Sequence, residues 1–498
     1  TNPRVAPVMS NGSIAIRRLA VSVALMTTVS SLAAIRFSGI WPTCTSNILF
    51  YRGAARFSDL LSVLNSTVAR EPYASGFEYP PGSLVPIGVL RLLSGELPPT
   101  TGVAWLYNFV GSSVPQTAIA NCQPESLRWS HLVFIGAGAL TVAFLMGWFF
   151  ATGLTRRKRY GVALLTGTLF VFTMALVEIY TLLILIISLG CLLALWLTRH
   201  RPDFPVVYVL VPLLGISYPI VYGVDRGNLD VIAILFVAIF AATQVGANSK
   251  AAQNIGAALL GVAVAIKLWP AFLLGALLRR NTGWPVLLSF GLGLVITSLI
   301  GASLQSADLN TVTSQFLTAL VRNRDGTDSD WNLLFNYTWG GGLSYLLIMI
   351  GGLDLLENSR PMWMGIQGWL VLISQFVAFA VLMLKRPFWQ TFGLASSILL
   401  LFTTFAPPYR VAILLVATGL LVRHLALARS RPTRLEMITV TLLGLVIAPT
   451  YLWSLPGITP LGVAPSGTLV GSFLLTIVTI AYVTLVIRTR TDDRTPIT

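Results

Sequence analysis

Asp59, Glu71 and Glu78 stand among prolines and tyrosines in RFSDLLSVLNSTVAREPYASGFEYPPG, residues 56–82, just past the first apolar segment. A carboxylate at a membrane face accepts a proton from an attacking hydroxyl, which makes Asp59 a candidate general base. The plain alternative is a solvated loop acid. A second group is the stretch YGVDRGNLD, Tyr222 to Asp230, where one apolar run ends and the next begins. Three charges and Asn228 at a membrane boundary are costly unless paired or functional. Either Arg226 serves a ligand, or an Asp225–Arg226 or Arg226–Asp230 ion pair closes a turn.

Lys267 sits inside the apolar run 256–278, in the tetrapeptide Lys267-Leu268-Trp269-Pro270. A lysine so placed must snorkel, pair or bind an anion. Arg410, in Pro407-Pro408-Tyr409-Arg410, is the only charge between Arg386 and Arg423. A fixed guanidinium suits a phosphate; anchoring at lipid headgroups is the alternative. Signatures of soluble enzymes are missing: the chain has no Walker loop and no Gly-x-Gly-x-x-Gly following a strand. His131, His200 and His424 are isolated, so no metal is expected. Asp325, Asp328 and Asp330 in RNRDGTDSD lack the glycine and glutamate positions of a calcium loop and read as a solvated run or a polar acceptor contact.

Elements that position these residues must be membrane helices. Of 498 residues 55% are hydrophobic and only 10% charged, against about 25% charged in soluble domains. The unit of organisation is therefore the apolar run of about 20 residues that crosses a bilayer. The net charge of +15 comes in short clusters: Arg17 and Arg18, Arg156 to Arg159, Arg279 and Arg280, Lys385 and Arg386, Arg423 to Arg434, and Arg488 to Arg494. Such clusters mark cytoplasmic loops by the positive-inside rule. No basic face interleaved with aromatics is present, so nucleic acid is not an expected partner.

Spans are predicted at 19–35, 131–154, 160–177, 181–198, 204–222, 230–245, 284–300, 361–384, 388–405, 409–425, 436–453 and 468–487. The first would be lost if it were a cleaved signal peptide, but the topology closes with it retained. Residues 256–278 have basic flanks at both ends and Pro270 inside. They read as two half-helices folded at LWP, a broken pair buried in protein. The expectation is an all-α polytopic membrane protein of about 12 spans plus this re-entrant pair. Both termini are expected in the cytoplasm, and the whole chain, 1–498, forms one membrane domain. Two long outer loops are predicted, 36–129 and 303–361, the first with an amphipathic run over 84–93. On this segmentation about 21 of the 33 basic residues lie inside, and about 14 of the 18 acids lie outside. The acid bias is independent of the rule and puts the chemistry on the outer face. Cys44 and Cys122 share the first outer loop, free or joined in a disulfide. Cys191 reads as a small core residue.

With these residues in order, the chain resembles the GT-C glycosyltransferases, specifically glycosyltransferase family 87. That group holds polyprenol-phosphate-mannose-dependent alpha-1,2-mannosyltransferases and some arabinofuranosyltransferases of actinobacterial cell envelopes. The resemblance is carried by Asp59-Leu60, Pro72-Tyr73 and Tyr79-Pro80-Pro81. Pro219 ahead of Arg226-Gly227-Asn228-Leu229-Asp230 and then Lys267-Leu268-Trp269-Pro270 continue it. It covers most of residues 15–430. Val63 stands where the family often has tyrosine, Arg70-Glu71 where it usually has glycine, and residues 95–129 look inserted.

The resemblance implies an inverting transfer of a sugar, mannose first and arabinofuranose as runner-up. The donor would be a polyprenyl-phosphate sugar and the acceptor a hydroxyl of a lipid-linked or cell-envelope glycan. The site would open to lipid on the outer, periplasmic face of a bacterial plasma membrane. Asp59 would be the base, and Arg410, with Lys267 and Arg226, would hold the donor phosphate. Glu78, Tyr79, Arg322 and Arg324 would contact acceptor or sugar hydroxyls. No cofactor and no metal enter this scheme. A lipid or glycolipid transporter is the alternative of another class, since such proteins also have broken helices and charges near the membrane.

Overall fold

A computed structural model describes residues 11–38, 80–86, 128–176, 180–201, 204–225, 227–246, 249–279, 283–303, 309–326, 338–403, 408–428, 431–449, 454–456, 463–465 and 467–488. The first part runs α1 (Asn11–Ser38), a 3-10 turn (Pro81–Ser83), α2 (Arg128–Leu145) with a π-turn (Met146–Phe150), α3 (Arg156–Ala175), α4 (Tyr180–Leu197), α5 (Val207–Gly215) and α6 (Tyr218–Asp225). Then come α7 (Asp230–Gly246), α8 (Lys250–Ile266), a 3-10 turn (Trp269–Leu273), α9 (Leu274–Arg279), α10 (Trp284–Ser303) and α11 (Leu309–Gly326). The last part holds α12 (Trp339–Met383), α13 (Phe388–Phe402), a 3-10 turn (Pro408–Ala412), α14 (Ile413–Leu427), α15 (Arg434–Ile447) and α16 (Gly467–Arg488). The described structure is all-α as expected, apart from a small antiparallel ribbon of β1 (Ser454–Pro456) on β2 (Val463–Pro465).

Seven helical stretches among the described residues are long and apolar enough to cross a membrane. This is an integral membrane protein. The other expected spans are present as helices but do not meet that measure. Helix α7, α13 and the apolar part of α12 fall short of 18 residues, α15 has 14, and α3 opens on four basic residues.

Three features place the site. First, the span expected at 204–222 is two helices, α5 and α6, because Pro219 cannot donate to a continuing ladder. Tyr180 donates from its hydroxyl to the Ile216 carbonyl at the break, 2.7 Å away.

Second, the stretch expected as a broken pair, 256–278, is interrupted at Lys267-Leu268, between α8 and the 3-10 turn. Helices α7 and α8 are antiparallel: Gly256 early in α8 abuts Thr243 late in α7, while Lys267 beyond the end of α8 meets Asp230 at the start of α7. Helices α8 and α10 are parallel neighbours, with Gly293 against Ala258, and Ala265 and Gly301 both against the Pro81–Gly82 turn. Two consecutive parallel helices need a return between them, and the 3-10 turn with α9 supplies it. At the far end Arg279 donates to the Arg386 carbonyl, just before α13. Lys267 itself has extended backbone, φ −143° and ψ 133°, and forms the tip.

Third, in the stretch expected as a second outer loop, 303–361, the described residues are almost all helical, in α11 and the first part of α12, and the span expected at 361–384 is the end of α12. The helix continues through Asp354, Glu357, Arg360 and Pro361. A straight helix of 45 residues would measure about 67 Å. Trp339 and Gly340 nevertheless line one cavity with Ile366, Leu370, Leu401 and Phe402, so α12 is bent. Gly351, Gly352 and Pro361, residue types at which helices kink, fall in the intervening stretch.

Helix α1 packs on α4, α5, α14 and α15 as a working part of the bundle. Its Arg17 donates to the Leu195 and Arg199 carbonyls at the end of α4. Arg423, Arg159, Arg279 and Arg386 gather toward this same end of the helices. Cys191 is buried, in keeping with a core role.

Candidate functional site

At the opposite end, α6 hands over to α7 through Gly227-Asn228-Leu229. The amide of Asn228 donates to the Gly223 carbonyl and that of Gly227 to Val224, a helix stop that needs left-handed backbone at its end. Gly227 provides it, with φ 64°. The Asn228 side-chain oxygen then accepts from the Asp230 amide at 2.8 Å, a turn that asparagine favours. Asp230 thus opens α7, where the helix dipole favours a negative charge, and it is fully buried.

Three elements converge on that carboxylate. Trp269 donates from its indole N–H to Oδ1 at 2.9 Å. Lys267 Nζ lies 3.7 Å from Oδ1, and Arg410 Nε lies 3.5 Å from Oδ2. Lys267 is 7% exposed as a side chain and Arg410 28%. Buried charges cost several kcal/mol each unless paired, so the carboxylate is what permits two cations here. Among the described residues one carboxylate thus meets two cations, of which Arg410 is the more exposed. Paired fixed cations of this kind suit an anionic ligand.

The segment after Glu78 and Tyr79 reaches this place. Pro80 accepts from the Ser83 amide and hydroxyl, and the turn is buried between α8 and α10. A side chain on Gly82 would collide with Ala265, two residues before Lys267, and one on Gly301 would collide with Pro81. Glycine at both positions permits the close approach.

Lys267 and Arg410, predicted as phosphate ligands, are thus brought together. Asp59, Glu78, Tyr79 and Arg226 lie outside the described residues, as do Cys44 and Cys122. Arg322 and Arg324 fall on α11, and their side chains are also outside what is described. Asp230 and Trp269 were not among the expected ligands. A signal existed: Asp230 heads an apolar run with no charge from Val231 to Gly246, so its partner had to come from elsewhere. Among the described residues no three His, Cys, Asp or Glu side chains come together as a metal site. No protein-family model, curated protein or solved structure matches this chain.

Proposed function

We propose that the chain is an inverting glycosyltransferase of the GT-C type. It would move a sugar, mannose before arabinofuranose, from a polyprenyl-phosphate donor to a hydroxyl of a lipid-linked or cell-envelope glycan. The supporting observation is the meeting of Lys267 and Arg410 on buried Asp230, with Pro80–Gly82 packed beside them. The donor is a phosphodiester with one negative charge, and the two fixed cations suit its phosphate oxygens. As the anomeric C–O bond breaks, the bonding pair goes to the phosphate oxygen and a second charge develops there. Fixed cations near that oxygen favour the transition state over the bound ground state.

Asp59 takes the proton of the acceptor hydroxyl, whose oxygen bonds to the anomeric carbon on the face opposite the phosphate. Arg226 adds a third donor to the phosphate, and Glu78, Tyr79, Arg322 and Arg324 hold sugar and acceptor. In this reading 12 spans cross a bacterial plasma membrane, both termini lie in the cytoplasm, and the Asp230 end faces outward. The direct test gives the purified full chain radiolabelled polyprenyl-phosphate mannose and a glycolipid acceptor in detergent. Labelled glycolipid is expected. Lipid translocation in vesicles without any sugar transfer would establish a transporter instead.

A further inference from the structure

The end of the bundle away from Asp230 carries a second cationic cluster that the glycosyltransferase reading does not use. It is built on the π-turn Met146–Phe150, where the Ala151 amide reaches back to the Met146 carbonyl at 2.9 Å. Arg159 donates from Nε to the Gly147 carbonyl at 2.9 Å. Arg423 donates from Nη1 to the next carbonyl, Trp148, at 3.1 Å, and to Thr152 Oγ1 at 3.2 Å. Both guanidiniums approach the Trp148 ring, at 5.8 and 5.7 Å, and Phe144 stacks on the same indole.

Arginines at a helix end satisfy carbonyls left over by the ladder. That role accounts for one nitrogen of each arginine. Among the described residues, Nη1 and Nη2 of Arg159 and Nε and Nη2 of Arg423 make no hydrogen bond, and neither arginine has an acidic partner. Glu436, the carboxylate described at this end, is engaged by Thr433 and His424. Trp148 Nε1 is buried and has no acceptor among the described residues. The result is two half-buried positive charges against one indole, with no anion beside them among the described residues.

From this we infer that the cluster binds the phosphate of an anionic phospholipid headgroup. Planar guanidiniums suit phosphate oxygens, and basic pockets between membrane helices hold such headgroups. The surroundings favour a lipid over a free phosphate. Tyr160, next to Arg159, is 62% exposed and Leu164, one turn on, is 73% exposed. An acyl chain has apolar helix surface to lie on directly beside the charges.

The test uses the full chain purified in neutral detergent and follows thermal unfolding as lipid is titrated. Phosphatidylglycerol is expected to raise the midpoint saturably and phosphatidylcholine not to. Arg423→Gln and Arg159→Gln should each weaken the half-saturating concentration about fivefold. Arg156→Gln, at an exposed arginine bound to Tyr160, should leave it unchanged. No preference for phosphatidylglycerol, wild-type response in both glutamine variants, or an equal loss with Arg156→Gln overturns the site. Inorganic phosphate acting as well as phosphatidylglycerol overturns the lipid assignment. If Arg423→Gln unfolds, Arg159→Gln and the native-mass-spectrometry count of retained phosphatidylglycerol decide the matter alone.

Discussion

Two cationic clusters sit at opposite ends of the same helices. Asp230 begins α7 and Gly246 ends it, about 25 Å away along the axis; Arg410 and Arg423 stand in the same relation across α14. At the first end a carboxylate sets the positions of Lys267 and Arg410 and cancels one charge. At the second end backbone carbonyls set the positions of Arg159 and Arg423 and cancel none. A carboxylate lock fixes its cations on a buried counter-charge, whereas a carbonyl cap leaves the full charge to attract whatever anion is near. The first arrangement suits chemistry on one bond, the second suits adhesion to a surface.

Several substitutions break or sharpen this contrast. The largest effect is expected from Asp59→Asn: transfer should fall by about 10²–10⁴-fold, the worth of a general base, with the unfolding midpoint unchanged. Near-normal transfer would remove Asp59 from the chemistry and leave the charged pocket as a binding site only. Next is Asp230→Asn, which keeps an acceptor for Trp269 but deletes the neutralising charge. Stranding a partner of a buried pair costs about 3–5 kcal/mol, and the lower figure applies because Arg410 is partly exposed. Chemical denaturation in micelles should show the loss together with abolished transfer; a wild-type midpoint would mean that the lock is not what holds the cations.

Arg410→Ala should weaken donor binding by about one order of magnitude, a charge-assisted contact of about 1.5 kcal/mol, and leave acceptor binding nearly untouched. Equal losses for donor and acceptor in initial-rate kinetics would refute its phosphate role. Gly301→Leu overfills the seat of Pro81 and should destabilise by about 1–3 kcal/mol, read as a lower midpoint with a raised KM for donor. The smallest effect is Arg423→Gln, which removes a helix-end charge worth about 0.3–1 kcal/mol and should leave transfer in detergent intact. A loss of stability as large as that of Asp230→Asn would erase the distinction between the two ends.

Much of the fold was legible because lipid imposes a coarse code. The tip at Lys267 was readable from a proline and a charge inside an apolar run with basic flanks. Helix α12 was misread because its charges and Pro361 look like a loop when only local propensity is consulted, while tertiary packing on α13 and α16 carries the helix. Asp230 shows the deeper limit. Its cationic partners lie 37 and 180 residues away, and a local ion pair with Arg226 was one of two readings of the sequence around it. Lys267 and Arg410 were each marked as odd charges, but nothing in one dimension says that two oddities share a carboxylate.

The Pro80–Gly82 turn wedged between Ala265 and Gly301 has a mechanical consequence. It ties the chain just after Glu78 and Tyr79 to the very tip that carries Lys267. A tilt of that tip therefore moves the turn with it, and a displacement of the turn is felt at the lysine. In the proposed reading, acceptor capture and phosphate grip would be geared to each other through the Gly82–Ala265 and Gly301–Pro81 contacts.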